Sequence, residues 1–144
     1  MQSLNFDLGY KEFCINGDET RVIRFNPADY SMLKRFSEAR KNIMQAVNEI
    51  EKDIQIRENP RDELEEAANL IADINGLINT QINYIFDSDV AKTAFGNQSP
   101  ISMVKGKFLF ERFLDATGPY IEKEIKAEQA ASQKRIDKYT KQVK

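Results

Sequence analysis

Apolar and polar positions alternate with a period of two only near the start of the chain. Tyr10 to Ile15 and Thr20 to Phe25 are rich in aromatic and β-branched residues and flank Asn16-Gly17, chemistry that predicts a β-hairpin. Asn-Gly suits a turn with positive φ, and a longer Asn-Gly-Asp-Glu connection fits the same segment, which leaves the register open. Phe13 and Ile15 fall on one face of such a pair. Phe6 and Leu8 offer a further strand. An isolated hairpin is marginal in water, so this one must pack on a helix or pair with another chain.

At Asn26-Pro27 the period changes to three and four, and the pair has the chemistry of an N-cap followed by proline at the first helical position. A helix is predicted from residue 27 to about Glu58, with Leu33, Phe36, Ile43, Val47, Ile50 and Ile54 on its apolar stripe. Asn59-Pro60 repeats the start signal, and Asp62, Glu63, Glu65 and Glu66 suit the positive end of a second helix. That helix carries Leu64, Ala67, Ile71, Ile74, Ile78 and Ile85, widened by Leu70, Leu77 and Tyr84. The connection is short, so the two helices should form an antiparallel pair. Gly76 costs about 1 kcal/mol relative to Ala inside a helix, and a close helix crossing would account for it.

Asp87-Ser88-Asp89, a short helical turn and Phe95-Gly96-Asn97 then reverse the chain. Ser99-Pro100 repeats the cap signal and predicts a third helix from residue 100, through Ile101, Val104, Phe108, Phe110, Phe113 and Leu114. Gly118-Pro119 should stop or kink it, with a final helix beyond. The fold class is therefore mostly α (α+β): an N-terminal β-hairpin, an antiparallel helical hairpin and one or two further helices. Residues 1–121 are expected as a single globular domain and 122–144 as a charged helical tail.

Composition narrows the chemistry. The 144 residues include no His, no Trp and a single Cys14, which removes the commonest general base, the commonest zinc ligand and any intrachain disulfide. No run approaches the ~18 consecutive apolar residues of a membrane span, and no secretory signal opens the chain, so a cytoplasmic protein is expected. With 21 basic and 23 acidic residues, the charge is too balanced to make nucleic acid the main partner. The balance conceals an asymmetry, because residues 122–144 carry +3 and the rest −5.

No constellation organises these residues into a catalytic or metal site. The acidic run at Asp62 to Glu66 is ordinary helix-start chemistry, and Asp87 with Asp89 lacks the glycine and terminal glutamate of a calcium loop. Cys14 sits mid-strand without an activating cation nearby. Tyr30, Tyr84 and Tyr139 have no evident activating partner. Gly96 and Gly106 lack the spacing of a phosphate loop. The basic tail, with Lys134, Arg135, Lys138, Lys141 and Lys144, is diluted by Glu128 and Asp137 and lacks the aromatic interleaving of single-strand binders. No enzyme activity, cofactor or metal is expected.

More informative are Phe108, Phe110, Phe113 and Tyr120, the candidate partner-binding residues. On a continuous helix, positions 108 and 110 lie about 200° apart and cannot bury in one direction. One aromatic face then needs another neighbour, either the remainder of the fold or an apolar partner segment docked in a groove.

The order of parts, together with Ile82-Asn83-Tyr84-Ile85-Phe86-Asp87 and Ala94-Phe95-Gly96 ahead of a final aromatic helix, resembles the tail assembly chaperones of long-tailed bacteriophages that infect Gram-positive bacteria. The likeness is one of layout over most of residues 10–125. It implies a non-catalytic protein of the host cytoplasm that coats and solubilises the long tape measure protein and helps tail tube subunits assemble around it. It transfers no catalytic residues, only Tyr84, Phe86, Phe95 and Gly96 as structural markers of the turn into the last helices. The alternative is a structural helical protein of the virion or another scaffold, in which the hairpin edge and the long helices make permanent contacts, homo-oligomeric ones among them.

Overall fold

The computed structural model describes residues 1–55 and 60–143, with side chains described outside 51–63 and 142–144. The chain is mostly helical, with an N-terminal antiparallel hairpin, as its periodicity implies. In order it runs β1 (Lys11–Ile15), β2 (Asp18–Phe25), α1 (Tyr30–Gln55), α2 (Pro60–Phe86), α3 (Ala91–Phe95), β3 (Met103–Val104), β4 (Lys107–Phe108) and α4 (Leu109–Val143). These divide into two compact units, one of residues 1–29 with 113–144 and the other of residues 30–112. α4 runs unbroken across residues 121 and 122.

In the first unit, Asn16 and Gly17 alone connect the strands, both with positive φ (52° and 77°), the geometry of the shorter Asn-Gly turn. Phe13 pairs with Ile23 and Cys14 with Val22, but Ile15 pairs with Asp18. Glu19, Thr20 and Arg21 bulge between these pairs, and the Asp18 carboxylate accepts the Thr20 amide and hydroxyl at 3.0 and 2.6 Å. One face of the hairpin rests on α4: Phe13 stacks on Phe25 at 4.6 Å between centroids and meets Tyr120 edge-on at 5.1 Å. Lys11 pairs with Glu124 at 3.0 Å. The hairpin thus obtains from a helix of its own chain the support that two strands alone lack. Phe6 and Leu8 add no strand; both are exposed. Cys14 lies on the exposed outer face rather than in the core.

α4 begins at Leu109 and passes through Gly118-Pro119 without stopping. Proline removes one i→i−4 donor at a cost of about 3 kcal/mol. Burial of Leu114 before it and of Ile121 and Ile125 after it fixes the helix on both sides, and the Thr117 hydroxyl donates back to the Phe113 and Leu114 carbonyls. Beyond Ile125, every position from 126 to 141 is exposed, the solvated helix that its charges imply.

The second unit is built on the antiparallel pair of α1 and α2. Arg35 Nε donates to the Ile85 carbonyl, Tyr84 Oη donates to Glu38, and Asn42 faces Gln81, so numbers rise on one helix as they fall on the other. The seam is Met32, Ala39, Ile43 and Val47 against Ile74, Ile78, Ile82 and Ile85, all buried, and each large aliphatic group contributes roughly 1.5–3 kcal/mol by leaving water. Met32, in line with Ala39, Ile43 and Val47, takes the place expected of Leu33, which is 43% exposed; α1 begins at Tyr30 and not at residue 27. Asn26-Pro27 instead forms a turn, in which the Asn26 side chain accepts the Ala28 amide and its carbonyl accepts Asp29. Asn59, the Ile54 side chain and the end expected near Glu58 lie outside the described residues; α2 begins at Pro60 as expected. Gly76 makes no close crossing, since an added Cβ there would meet open space.

After α2, Asn83 organises the reversal: its Oδ1 accepts the Ala91 amide that opens α3, and its amide nitrogen donates to Asp89. The side-chain acceptor for the opening amide of α3 thus comes from Asn83. Phe86, Val90, Ala91 and Phe95 are buried around this turn, and Gly96 ends α3 with φ 61°. The expected helix from residue 100 does not form there. Ser102 N–H closes a tight turn on the Ser99 carbonyl, and a second small hairpin intervenes before α4.

Candidate partner-binding surface

The second hairpin is two residue pairs long, Met103 with Phe108 and Val104 with Lys107. Lys105 and Gly106 turn it with φ of 52° and 81°. Two strands of this length have no stability of their own, so the surroundings must hold them. Leu109 N–H donates to the Ser102 carbonyl and Phe110 N–H to that of Pro100, closing the base. The Glu111 carboxylate accepts the Phe108 amide at 3.4 Å, one half of a capping box on the first turn of α4. Pro100 is fully buried, and Ser99 Oγ, which accepts the Ile101 amide, is bonded to Asn75 on α2.

The four aromatic residues singled out in the sequence fall in different settings. Phe108 and Phe110 come together, their rings stacked at 5.6 Å with 12° between planes. The 200° conflict between them does not arise, because Phe108 belongs to β4 and only Phe110 to the helix. Phe110 is 1% exposed, a core side chain, and Phe108 is half-buried above it. Phe113 is half-buried, while Tyr120 stands at 38% exposure with its ring against Phe13.

Sequence reasoning missed Met103 and Val104. They stand 62% and 40% exposed on β3; Met103 pairs with Phe108 of the stacked rings, and Val104 pairs with Lys107 on the other face. An apolar tip on a braced base, with Lys105 and Lys107 in and beside the turn, can cover an apolar segment of another polypeptide without ordering a loop first. The available signal was the string Val104-Lys105-Gly106-Lys107-Phe108, a glycine turn between β-forming residues, which the three-four spacing of Ile101, Val104 and Phe108 concealed.

The Tyr84 hydroxyl is pushed above its ordinary range, first by its hydrogen bond to Glu38 and then by burial, which holds it protonated as a tie between α1 and α2. Among the described residues, no cluster of metal-ligating side chains occurs and no helix is long and apolar enough to cross a membrane. Among known proteins, no family model, no curated protein and no solved structure matches the chain.

Proposed function

We propose that this protein is a tail assembly chaperone of a long-tailed bacteriophage, acting in the host cytoplasm to bind and solubilise the tape measure protein while tail tube subunits assemble around it. The observation that carries the reading is the exposed Met103–Val104 tip on its Phe108–Phe110 base. A guest helix rich in apolar side chains loses water-exposed surface by covering such a tip, and affinity follows from that burial rather than from bond chemistry. The resemblance in the order of parts to that family suggests the identity of the guest. Leu33, Leu77 and Tyr84 of the same unit as the tip, each exposed by two-fifths or a little more, add smaller apolar contacts.

Co-expression with the tape measure protein tests this reading: the partner should move from the insoluble to the soluble fraction, and unchanged solubility would refute it. A permanent structural role makes a different prediction, since the protein would then persist in purified particles, whereas a chaperone is abundant in lysate and absent from them.

A further inference from the structure

The first ten residues hold the densest run of exposed apolar side chains among the described residues. Leu4, Phe6, Leu8 and Tyr10 are 91%, 76%, 56% and 50% exposed and alternate with Asn5, Asp7 and Gly9, yet none lies in a strand. The root of this arm is fixed. Gly9 has φ 75°, its amide donates to Asp7 Oδ1 at 2.8 Å, and Asn26 Nδ2 holds the Leu8 carbonyl at 3.1 Å. A Cβ at Gly9 would lie 2.8 Å from Asn26 Nδ2.

A period of two with apolar groups on one face fits a sheet edge and not a helix groove. The same chain presents such an edge, because β1 and β2 form a two-stranded sheet and, among the described residues, each has a side without a strand neighbour. Its faces are divided in the same way as the arm: Phe13, Ile15, Ile23 and Phe25 on one, Glu12, Cys14, Val22 and Arg24 on the other. We infer that the arm of one copy adds as a strand to the β1–β2 hairpin of a second copy, with Leu4, Phe6 and Leu8 continuing the apolar face. Aromatic side chains cover roughly 150 Å² or more each. With the leucines and the partner surface included, two exchanged arms reach on the order of the ~1,200–2,000 Å² that stable interfaces bury. This self-association does not depend on the proposed function.

Light scattering on the full chain should give a mass of at least twice 16.6 kDa, and deletion of residues 1–8, or Phe6→Asp with Leu8→Asp, should give a monomer with an unchanged circular dichroism spectrum. Asn5 and Cys14 share the polar face, so Asn5→Cys should form a disulfide-linked dimer through Cys14 if the arm adds to β1. With Val22→Cys and Cys14→Ser it should do so if the arm adds to β2. Asn5→Cys with Cys14→Ser alone is the control and should not cross-link. A wild-type monomer at high micromolar concentration, including one whose arm folds onto its own chain, overturns the inference. So does an oligomer that survives arm deletion.

Discussion

The two β-hairpins have nearly the same turn and differ in almost everything else. Asn16-Gly17 and Lys105-Gly106 both place two successive residues at positive φ, yet the first joins strands of five and eight residues and the second strands of two. The long hairpin is held by one of its faces, laid on α4 through Phe13 and Tyr120. The short one is held by its base, through backbone hydrogen bonds and the Phe108–Phe110 stack, and so presents Met103 and Val104 outward. A turn type therefore says little about role; what anchors the strands decides which side chains remain available to a partner.

This contrast can be broken by mutation. The largest effect is expected at the anchor of the short hairpin: Phe110→Ala should cost about 3–5 kcal/mol in urea unfolding, as deletion of a buried aromatic does. A much smaller loss would mean that the base is held otherwise. Gly17→Ala and Gly106→Ala come next. Space is open at both, so each should lose only the penalty of a left-handed backbone, about 1–2 kcal/mol, and unequal losses would show that the turns are not equivalent. Lys105→Asn should gain up to about 1 kcal/mol, because Asn accepts that backbone region more readily, with Asn16→Lys losing a similar amount.

The smallest effects are those of pH on the long hairpin. The hydrogen bond and the charge of Glu124 raise the Lys11 pKa above its ordinary value. Its contribution is complete below the unfolded-state pKa and is lost as pH rises through the folded one. Asp18 behaves oppositely: the Thr20 hydroxyl and then its amide lower the carboxyl pKa, so its contribution is present above the unfolded-state value and is lost as pH falls through the folded one. Thermal melts across pH should therefore decline slightly at both extremes. Lys11→Met should remove the alkaline decline alone.

The same contrast explains what could be read from the sequence. Asn-Gly between long β-branched runs marks the first hairpin without ambiguity of type, and the isoleucines of α2 mark the helical pair. The second hairpin was hidden because Ile101, Val104 and Phe108 keep helical spacing, and four strand residues are too few to establish a period of two. Pro119 misled for a different reason, since the burial of Leu114, Ile121 and Ile125 outweighs a single lost donor. On the candidate surface, Phe108 and Phe110 stand out in the sequence as aromatic residues, whereas the exposure of Met103 and Val104 depends on a turn that periodicity does not register.

Under the proposed function, an apolar partner is covered by the braced tip of β3 and β4. The most direct test is titration of the tape measure protein with the wild type and with Met103→Asp/Val104→Asp, both substitutions being at exposed positions. Saturable binding is expected of the wild type, and at least a tenfold loss, roughly 1.4 kcal/mol or more, of a variant that melts at the same temperature. Equal binding by the two proteins would contradict the proposal.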